Sequence, residues 1–346
     1  MKITTTGIDL AKSVFQVHGV DERGKAALKK QLKRTQVLPF FANLPPCLIG
    51  MEACASAHYW ARKLEGLGHT VKLMAPQYVK PYVKSNKHDA ADAEAICEAV
   101  GRPNMRFVAI KSASQQAILS VHRARQALVK ARTAQANQIR GLLGEFGIVI
   151  PQGMASIGRH LAEILEDGEN ELPGSFRQLL SRLKDNLEHL QRQVSELEGE
   201  IQRWHREDAA SQHLAAIPGI GALGASALVA TVGEAKNFSH GRQMSAWLGI
   251  VPKQCSSGGK TTLLGMSKRG DSYVRTLLIH GARAVIAQLE RHPERADPWL
   301  RGLLARRPKN VVAVALANKN ARIAWALLAH ERVYAPQPAP MTCETH

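Results

Sequence analysis

The sequence predicts a mixed α/β domain followed by a mostly helical remainder, and three observations carry that expectation. Short β-branched runs separated by turn signals open the chain and then alternate with helical stretches as far as about residue 110. An apolar seam spaced alternately by four and three residues runs from Phe176 to Trp204. A glycine turn, Ile217-Pro218-Gly219-Ile220-Gly221, then leads into the small apolar residues Ala222 to Leu228. Single cores rarely grow past about 250–300 residues, so a chain of 346 is expected to divide. The expected parts are an α/β domain over 1–112, a coiled-coil helical arm over 113–207, a C-terminal domain over 208–334 and a disordered tail over 335–346. The tail rests on its three prolines, Pro336, Pro338 and Pro340.

Residues 3–9 and 14–20 read as strands, and 26–34 returns as a third after the turn Asp21-Glu22-Arg23-Gly24. Strands joined by such short links form an antiparallel meander. A helix around Phe40 and Phe41 comes next, then an apolar strand over 47–52 that ends in Glu52. Helical periodicity (Tyr59, Leu64, Leu67) fills 55–67 and stops at Gly68. Residues 70–74 are a strand closed by Pro76, an alanine-rich helix begins near Asp89, and a strand is expected over 107–110.

From residue 113 the pattern becomes helical, with Ile118, Val121, Leu128, Ile139, Leu142, Leu143 and Phe146 set among many bases. Gly147 to Gly153 breaks it. The seam that follows (Phe176, Leu180, Leu183, Leu187, Leu190, Val194, Leu197, Ile201, Trp204) has coiled-coil periodicity. It fits an antiparallel arm, a seam between subunits, or a long helix packed on its own domain.

A formal net charge of +17 points to a polyanionic partner. No apolar run is expected to reach the ~18–20 residues of a membrane span, so nucleic acid is the expected partner and the membrane is not. The five cysteines form no C-x-x-C pair and no zinc spacing, which suits reduced thiols in a cytoplasm. From Asp208 onward seventeen Lys and Arg face eight Asp and Glu. Lys253, Lys260, Lys268 and Arg269 there are candidates for phosphate contact, against the plainer reading of a solvated face. The turn at Gly219 and Gly221 has the pattern of a helix-hairpin-helix, in which backbone amides meet a DNA phosphate. An ordinary glycine turn between two helices would read the same.

Four acids carry the chemistry. Asp9 ends the first strand after Gly7, Glu52 ends the strand expected beside it, and Asp89 and Asp92 share one face of the first helical turn that follows. Taken alone, Asp89 and Asp92 are better explained as helix-capping acids. Together the four match carboxylates that hold two divalent cations for in-line phosphoryl displacement, and hard oxygen ligands favour Mg²⁺ or Mn²⁺. A meander followed by alternation is the order of a ribonuclease H-like fold.

With Gly7-Ile8-Asp9, Met51-Glu52-Ala53 and Asp89-Ala90-Ala91-Asp92, the sequence resembles the DEDD transposases of bacterial insertion sequences. Their N-terminal domain is similar to RuvC-type Holliday-junction resolvases. Ile217 to Gly221, Phe238, Ala246-Trp247-Leu248-Gly249, Pro252 and Gly265 to Gly270 extend the resemblance from Thr6 to about Leu328. It implies excision and insertion of a mobile element by DNA strand exchange, acting on element ends and target. It also implies a structured guide RNA, a homo-oligomer (dimer or tetramer) and a bacterial cytoplasmic setting at the nucleoid. A serine nucleophile bonded covalently to DNA is implied as well; five residues after Pro252 it falls on Ser257, with Ser256 adjacent. Two other readings compete: a resolvase-like nuclease in which water attacks, and a non-catalytic nucleic-acid scaffold. Trapping of a protein–DNA adduct separates the first from the serine route. Loss of activity on chelation, with binding intact, argues against the scaffold.

Overall fold

A computed structural model describes residues 2–84, 88–293 and 297–335. Ser85 to Lys87, Cys343 and the expected tail from residue 336 lie outside the described residues. The chain forms two compact units. One comprises Met1–Gln116 with Val232–Ser239, the other Ala117–Thr231 with His240–His346.

The first unit is mixed α/β. In chain order it holds β1 (Ile3–Leu10), β2 (Val14–Asp21), β3 (Ala26–Lys33), α1 (Val37–Ala42), β4 (Leu48–Glu52), α2 (Ala57–Glu65), β5 (Thr70–Met74), α3 (Pro76–Val79), α4 (Asp89–Val100) and β6 (Phe107–Val108). The sheet order is β3-β2-β1-β4-β5-β6. β1 to β3 pair antiparallel, β4 joins β1 and β5 joins β4 in parallel, and β6 closes the edge antiparallel. This is the meander-then-alternation of a ribonuclease H-like fold.

The two faces of the sheet are covered differently. Ile8, Phe15, Val17 and Met51 are fully buried with Trp60, Ala61 and Leu64 of α2 in one apolar cluster. On the other face lies α4, whose Ala93, Ala95, Ile96, Cys97, Ala99 and Val100 are buried. Alanines let a helix sit close, and two glycines let it sit closer still. A Cβ on Gly7 would stand 2.3 Å from Ala93 O and Cys97 N, and one on Gly50 would stand 2.8 Å from Val100 Cβ. Gly7 and Gly50 face one another in register across β1 and β4. The Cys97 thiol, 3.7 Å from Thr5 O, is pushed up to about 11 by burial, so it stays a thiol under this helix.

The second unit is mostly helical. Its elements are α5 (Ala113–Gly144, which starts in the first unit), α6 (Met154–Glu166), α7 (Gly174–Glu207), α8 (Ala209–Ala215), α9 (Ala222–Val232), α10 (Gly241–Trp247), β7 (Pro252–Ser257), β8 (Lys260–Met266), α11 (Ser272–Arg291), α12 (Pro298–Leu304) and α13 (Lys309–His330). α5 and α7 run antiparallel. Ile139 and Leu143 pack with Leu180 and Leu187, Arg132 donates to Gln191 Oε1, and Ile118 packs with Ile201. Leu180, Leu187, Val194 and Ile201, one residue per heptad, are the buried positions of the seam. Leu183, Leu190, Leu197 and Trp204, the alternate positions, are half-buried.

Two differences from expectation have simple causes. The polar loop expected over 254–262 is the hairpin β7–β8, turned at Gly258-Gly259, both at positive φ. Its strands are exposed, so they lack the apolar alternation by which a strand is recognised. α13 is long and apolar enough to span a membrane. It serves as a core helix: Val312, Leu316, Ala317, Ala321 and Ala324 are buried, and Asn320 Nδ2 donates to Pro218 O at 2.8 Å.

A buried polar knot joins α5, α9 and α11. His122 Nδ1 lies 3.0 Å from the Tyr273 hydroxyl and Nε2 3.1 Å from Ser226 Oγ. Ser226 donates its proton to Ala222 O at 2.7 Å, so His122 carries its own proton on Nε2 and accepts from Tyr273 on Nδ1. Burial first, and the Arg125 guanidinium second, push His122 from 6.5 down to about 4. Between those values the unfolded chain binds a proton that the folded chain refuses. Stability is therefore expected to fall by about 3 kcal/mol as pH drops from 6.5 to 4. Melting temperatures of wild type and His122→Gln across that range check this; the variant's curve should be flatter, though lower at neutral pH.

Candidate metal centre

β1 and β4 place the first two acids. Both strands carry the same tripeptide pattern at or next to their ends, glycine, buried apolar residue, acid: Gly7-Ile8-Asp9 and Gly50-Met51-Glu52. Ile8 pairs with Met51, so Asp9 and Glu52 are the next residues along neighbouring parallel strands. Side chains alternate along a strand. Ile8 and Met51 point toward α2, and Gly7, Asp9, Gly50 and Glu52 belong to the face under α4. The glycines admit the helix, and Asp9 meets its first turn.

α4 supplies the other two. Asp9, Asp89 and Asp92 each offer a carboxylate oxygen within 4.8 Å of the others. Asp9 and Asp92 are partly shielded and Asp89 is exposed. The helix is capped by His88, whose Nδ1 accepts from Ala90 N at 3.2 Å. The simplest alternative for the aspartates, capping, is thus performed by a neighbour. Asp89 and Asp92 still lie where the helix dipole favours negative charge.

Three oxygens so spaced suit one hard cation, since opposite ligands of an octahedral Mg²⁺ at ~2.1 Å stand about 4.2 Å apart. Glu52 lies beside the cluster and is not one of its three members. Cys54 feels both neighbours: burial, then Glu52, then Asp9 push its thiol up. Sequence reasoning missed Gly50 and His88. The repeated glycine–apolar–acid pattern is the signal that finds the first; histidine is too unusual an N-cap to announce the second.

The matches to known proteins cover most of the chain. A family model described as "Transposase", of DEDD type, matches residues 6–148, and one described as "Transposase IS116/IS110/IS902 family" matches 211–304. A probable family 20 transposase of Pseudomonas aeruginosa is 56% identical over 97% of this chain and 100% of its own length. The chain belongs to the IS116/IS110/IS902 transposase family. Two further relatives are the transposases for insertion sequence elements IS1328 of Yersinia enterocolitica and IS1111A of Coxiella burnetii. The first is 46% identical over 96% of this chain and 98% of its own length; the second is 42% identical over 96% and 91%. With this membership and a candidate metal site, the protein is an enzyme of phosphodiester chemistry, and the scaffold reading falls away.

The serine route expected for the transposase needs correction. The groups brought together for phosphoryl chemistry are carboxylates, as in metal-dependent RuvC-like nucleases. Ser257 ends β7 on an exposed hairpin of the second unit, with no side-chain hydrogen-bond partner among the described residues. Ser256 only accepts from Gln254 Nε2 at 2.8 Å. A serine hydroxyl without a neighbouring base or cation stays a poor nucleophile. The covalent serine–DNA intermediate therefore gives way to RuvC-like, metal-dependent chemistry at the carboxylates.

The transposase's other expected contact residues lie in the second unit. Lys253, Lys260, Lys268 and Arg269 are exposed. The Arg269 backbone is clasped: a Cβ on Gly249 would stand 1.7 Å from Arg269 O, and one on Gly270 1.9 Å from Trp247 O. These glycines join two distant sequence motifs, Ala246 to Gly249 and Lys268 to Gly270, into one turn. Gly219, at φ +89°, lies against Gly281 of α11, and Gly221 is exposed at the start of α9.

Proposed function

We propose that this transposase cuts the DNA at the ends of its mobile element and at the target by hydrolysis at Asp9, Asp89 and Asp92. The single observation behind this is the approach of those three carboxylates to within 4.8 Å. A Mg²⁺ or Mn²⁺ held there supplies the charge that polarises the scissile phosphate and activates water. Asp9 and Asp92, from a strand and a helix turn, would hold it, and Asp89, more exposed, would complete the set. Glu52 extends the carboxylate row along the sheet and suits a second cation. The water oxygen bonds to phosphorus and gives up one proton, the phosphorus–oxygen bond to one sugar breaks, and the freed oxygen takes up a proton, so that one water is consumed per cut. The names of the relatives, transposases of insertion sequence elements, support DNA element ends as substrate.

The finer expectations have narrower support. The turn at Gly219 and Gly221 suits a helix-hairpin-helix contact with phosphate, because Gly221 opens α9 at the surface. The half-buried seam positions Leu183, Leu190 and Leu197 suit a coiled-coil contact with a second copy, and so a homo-oligomer. A guide RNA rests on the net charge of +17, which serves RNA and DNA alike. The sequence pattern supports reading residues up to 112 as the catalytic domain, those up to 207 as an arm and the rest as a basic C-terminal domain.

The test is cleavage of a labelled element-end duplex with Mg²⁺, with EDTA, and by Ser257→Ala. Cleavage is expected to stop on chelation, to yield free ends that run the same with and without protease, and to continue within about twofold in Ser257→Ala. A denaturant-resistant protein–DNA adduct that vanishes in Ser257→Ala would overturn the proposal.

A further inference from the structure

A cleft of about 290 Å³ opens on the carboxylate face of the sheet, between β2 and β3 on one side and the first turns of α4 on the other. Gln16, His18, Lys29 and Gln31 line the strand wall, and Ala90, Ala91 and Ala93 the helix wall. The register explains this set. Gln16 pairs with both Asp9 and Gln31, and His18 pairs with both Gly7 and Lys29. Paired residues share a face of the sheet. Gly7 lies directly beneath α4, so Asp9, Gln16 and Gln31 form one row leading from the acid cluster to the edge strand, with Lys29 in the row behind.

The composition of the walls is unusual for a helix-covered sheet. The opposite face is sealed by Ile8, Phe15, Val17 and Met51. Here amide and ammonium donors stand opposite alanines too short to fill the space. Glu94 also lines the cleft, and Lys84 offsets its charge at 3.6 Å. Lys30 reaches the rim, but its Nζ sits 4.9 Å over the Phe40 ring. Burial first, opposed by Glu94, lowers His18, so this imidazole adds no lasting charge. Lys29 is left as the cation of the strand wall. The cleft has no aromatic lining on which a base could stack.

We infer that this cleft is a strand-guiding subsite, which receives the sugar–phosphate backbone of DNA beside the phosphodiester to be cut. Lys29 meets a phosphate, Gln16 and Gln31 donate to phosphate or sugar oxygens, and the alanine wall packs on the sugar. Contacts of this kind fix position and carry no sequence information. The inference rests on the cleavage reading above, and it adds that the substrate strand leaves the acid cluster across β2 and β3.

The test uses the full-length protein and a fluorescent element-end duplex with a single-stranded overhang, with Ca²⁺ in place of Mg²⁺ so that binding is read without cleavage. Lys29→Ala and Gln31→Ala are each expected to weaken binding by about 3- to 10-fold, equally on a scrambled sequence. Lys29→Ala should also lower the salt slope by about one, and Lys29→Arg should restore both. Replacing phosphates one at a time by neutral methylphosphonate should weaken wild type at one position near the cut and leave Lys29→Ala indifferent there. Unchanged affinity and slope in Lys29→Ala and Gln31→Ala would overturn the subsite. So would additive losses at every methylphosphonate position, or a Lys29 effect on an RNA strand with none on DNA. Circular dichroism of each variant guards against unfolding, with Gln31→Ala as the second reading if Lys29→Ala does not fold. Cleavage surviving in Asp92→Asn would sink the hydrolysis reading instead, while these binding results stood.

Discussion

Asp92→Asn is expected to slow Mg²⁺-dependent strand cleavage by about 10³-fold or more, while DNA affinity measured with Ca²⁺ changes by less than about threefold. Asparagine keeps the size of the side chain and removes its charge. Two carboxylates then face a divalent ion where three converged within 4.8 Å. A cation in such a site contributes several kcal/mol of transition-state stabilisation, and 10³-fold corresponds to about 4 kcal/mol. Asp9→Asn should behave alike, because Asp9 is fixed by a strand paired on both sides. Asp89→Asn should cost less, on the order of 10- to 100-fold, since Asp89 is the exposed member and water can take its ligand position. Single-turnover cleavage gives the rates, and Mn²⁺ titration calorimetry should show weaker binding in all three. Wild-type cleavage by Asp92→Asn would remove the carboxylates from the mechanism.

Gly7→Ala should do almost as much harm through a single methyl group. Its Cβ would stand 2.3 Å from Ala93 O and Cys97 N and 2.8 Å from Cys97 Cα, all backbone atoms of α4. No rotamer relieves such a contact, so helix and sheet must part by about 1 Å. Overpacking of this kind costs typically 1–3 kcal/mol and more when backbone must move; about 3 kcal/mol or above is expected here. Because α4 carries two of the three clustered aspartates, cleavage should fall even at temperatures where the variant is folded. Gly50→Ala is the control. Its nearest contacts are Val100 Cβ at 2.8 Å and Cγ1 at 3.1 Å; Val100→Ala removes only the second, so Val100→Gly is the variant expected to relieve the overlap, whereas no side-chain truncation rescues Gly7→Ala. Thermal denaturation beside cleavage rates separates the two.

Much of this site was legible in the sequence because strands, unlike loops, announce which face a residue takes. Asp9 follows a run whose alternation puts Ile8 in the core, and Glu52 follows Met51 in the same way. The helix carrying Asp89 and Asp92 was legible from its alanines. That Glu52 would stand outside the close cluster was not, because residue spacing does not tell how a helix sits on its sheet. The hairpin β7–β8 was hidden by its exposure on both faces; Gly258-Gly259 was its one clear signal. Helix α6 was hidden by the glycine- and proline-rich break before it, because it is short and lies between that break and the much longer seam of α7. The pairing of α5 with α7 was half legible: the seam shows on α7, while α5 spreads its apolar residues among bases. Ser257 shows the limit of motif spacing, which locates a hydroxyl in the chain and is silent on whether a base stands near it.

The first unit is assembled from two separate lengths of chain, Met1–Gln116 and the short return Val232–Ser239. Gly233 in that return lies close against Ala109: an added Cβ would stand 3.1 Å from Ala109 Cβ. No single cut therefore liberates an intact catalytic half. A gene fragment ending near residue 116 would lack one of its own pieces, and splicing that octapeptide back through a flexible linker is the way to make it whole.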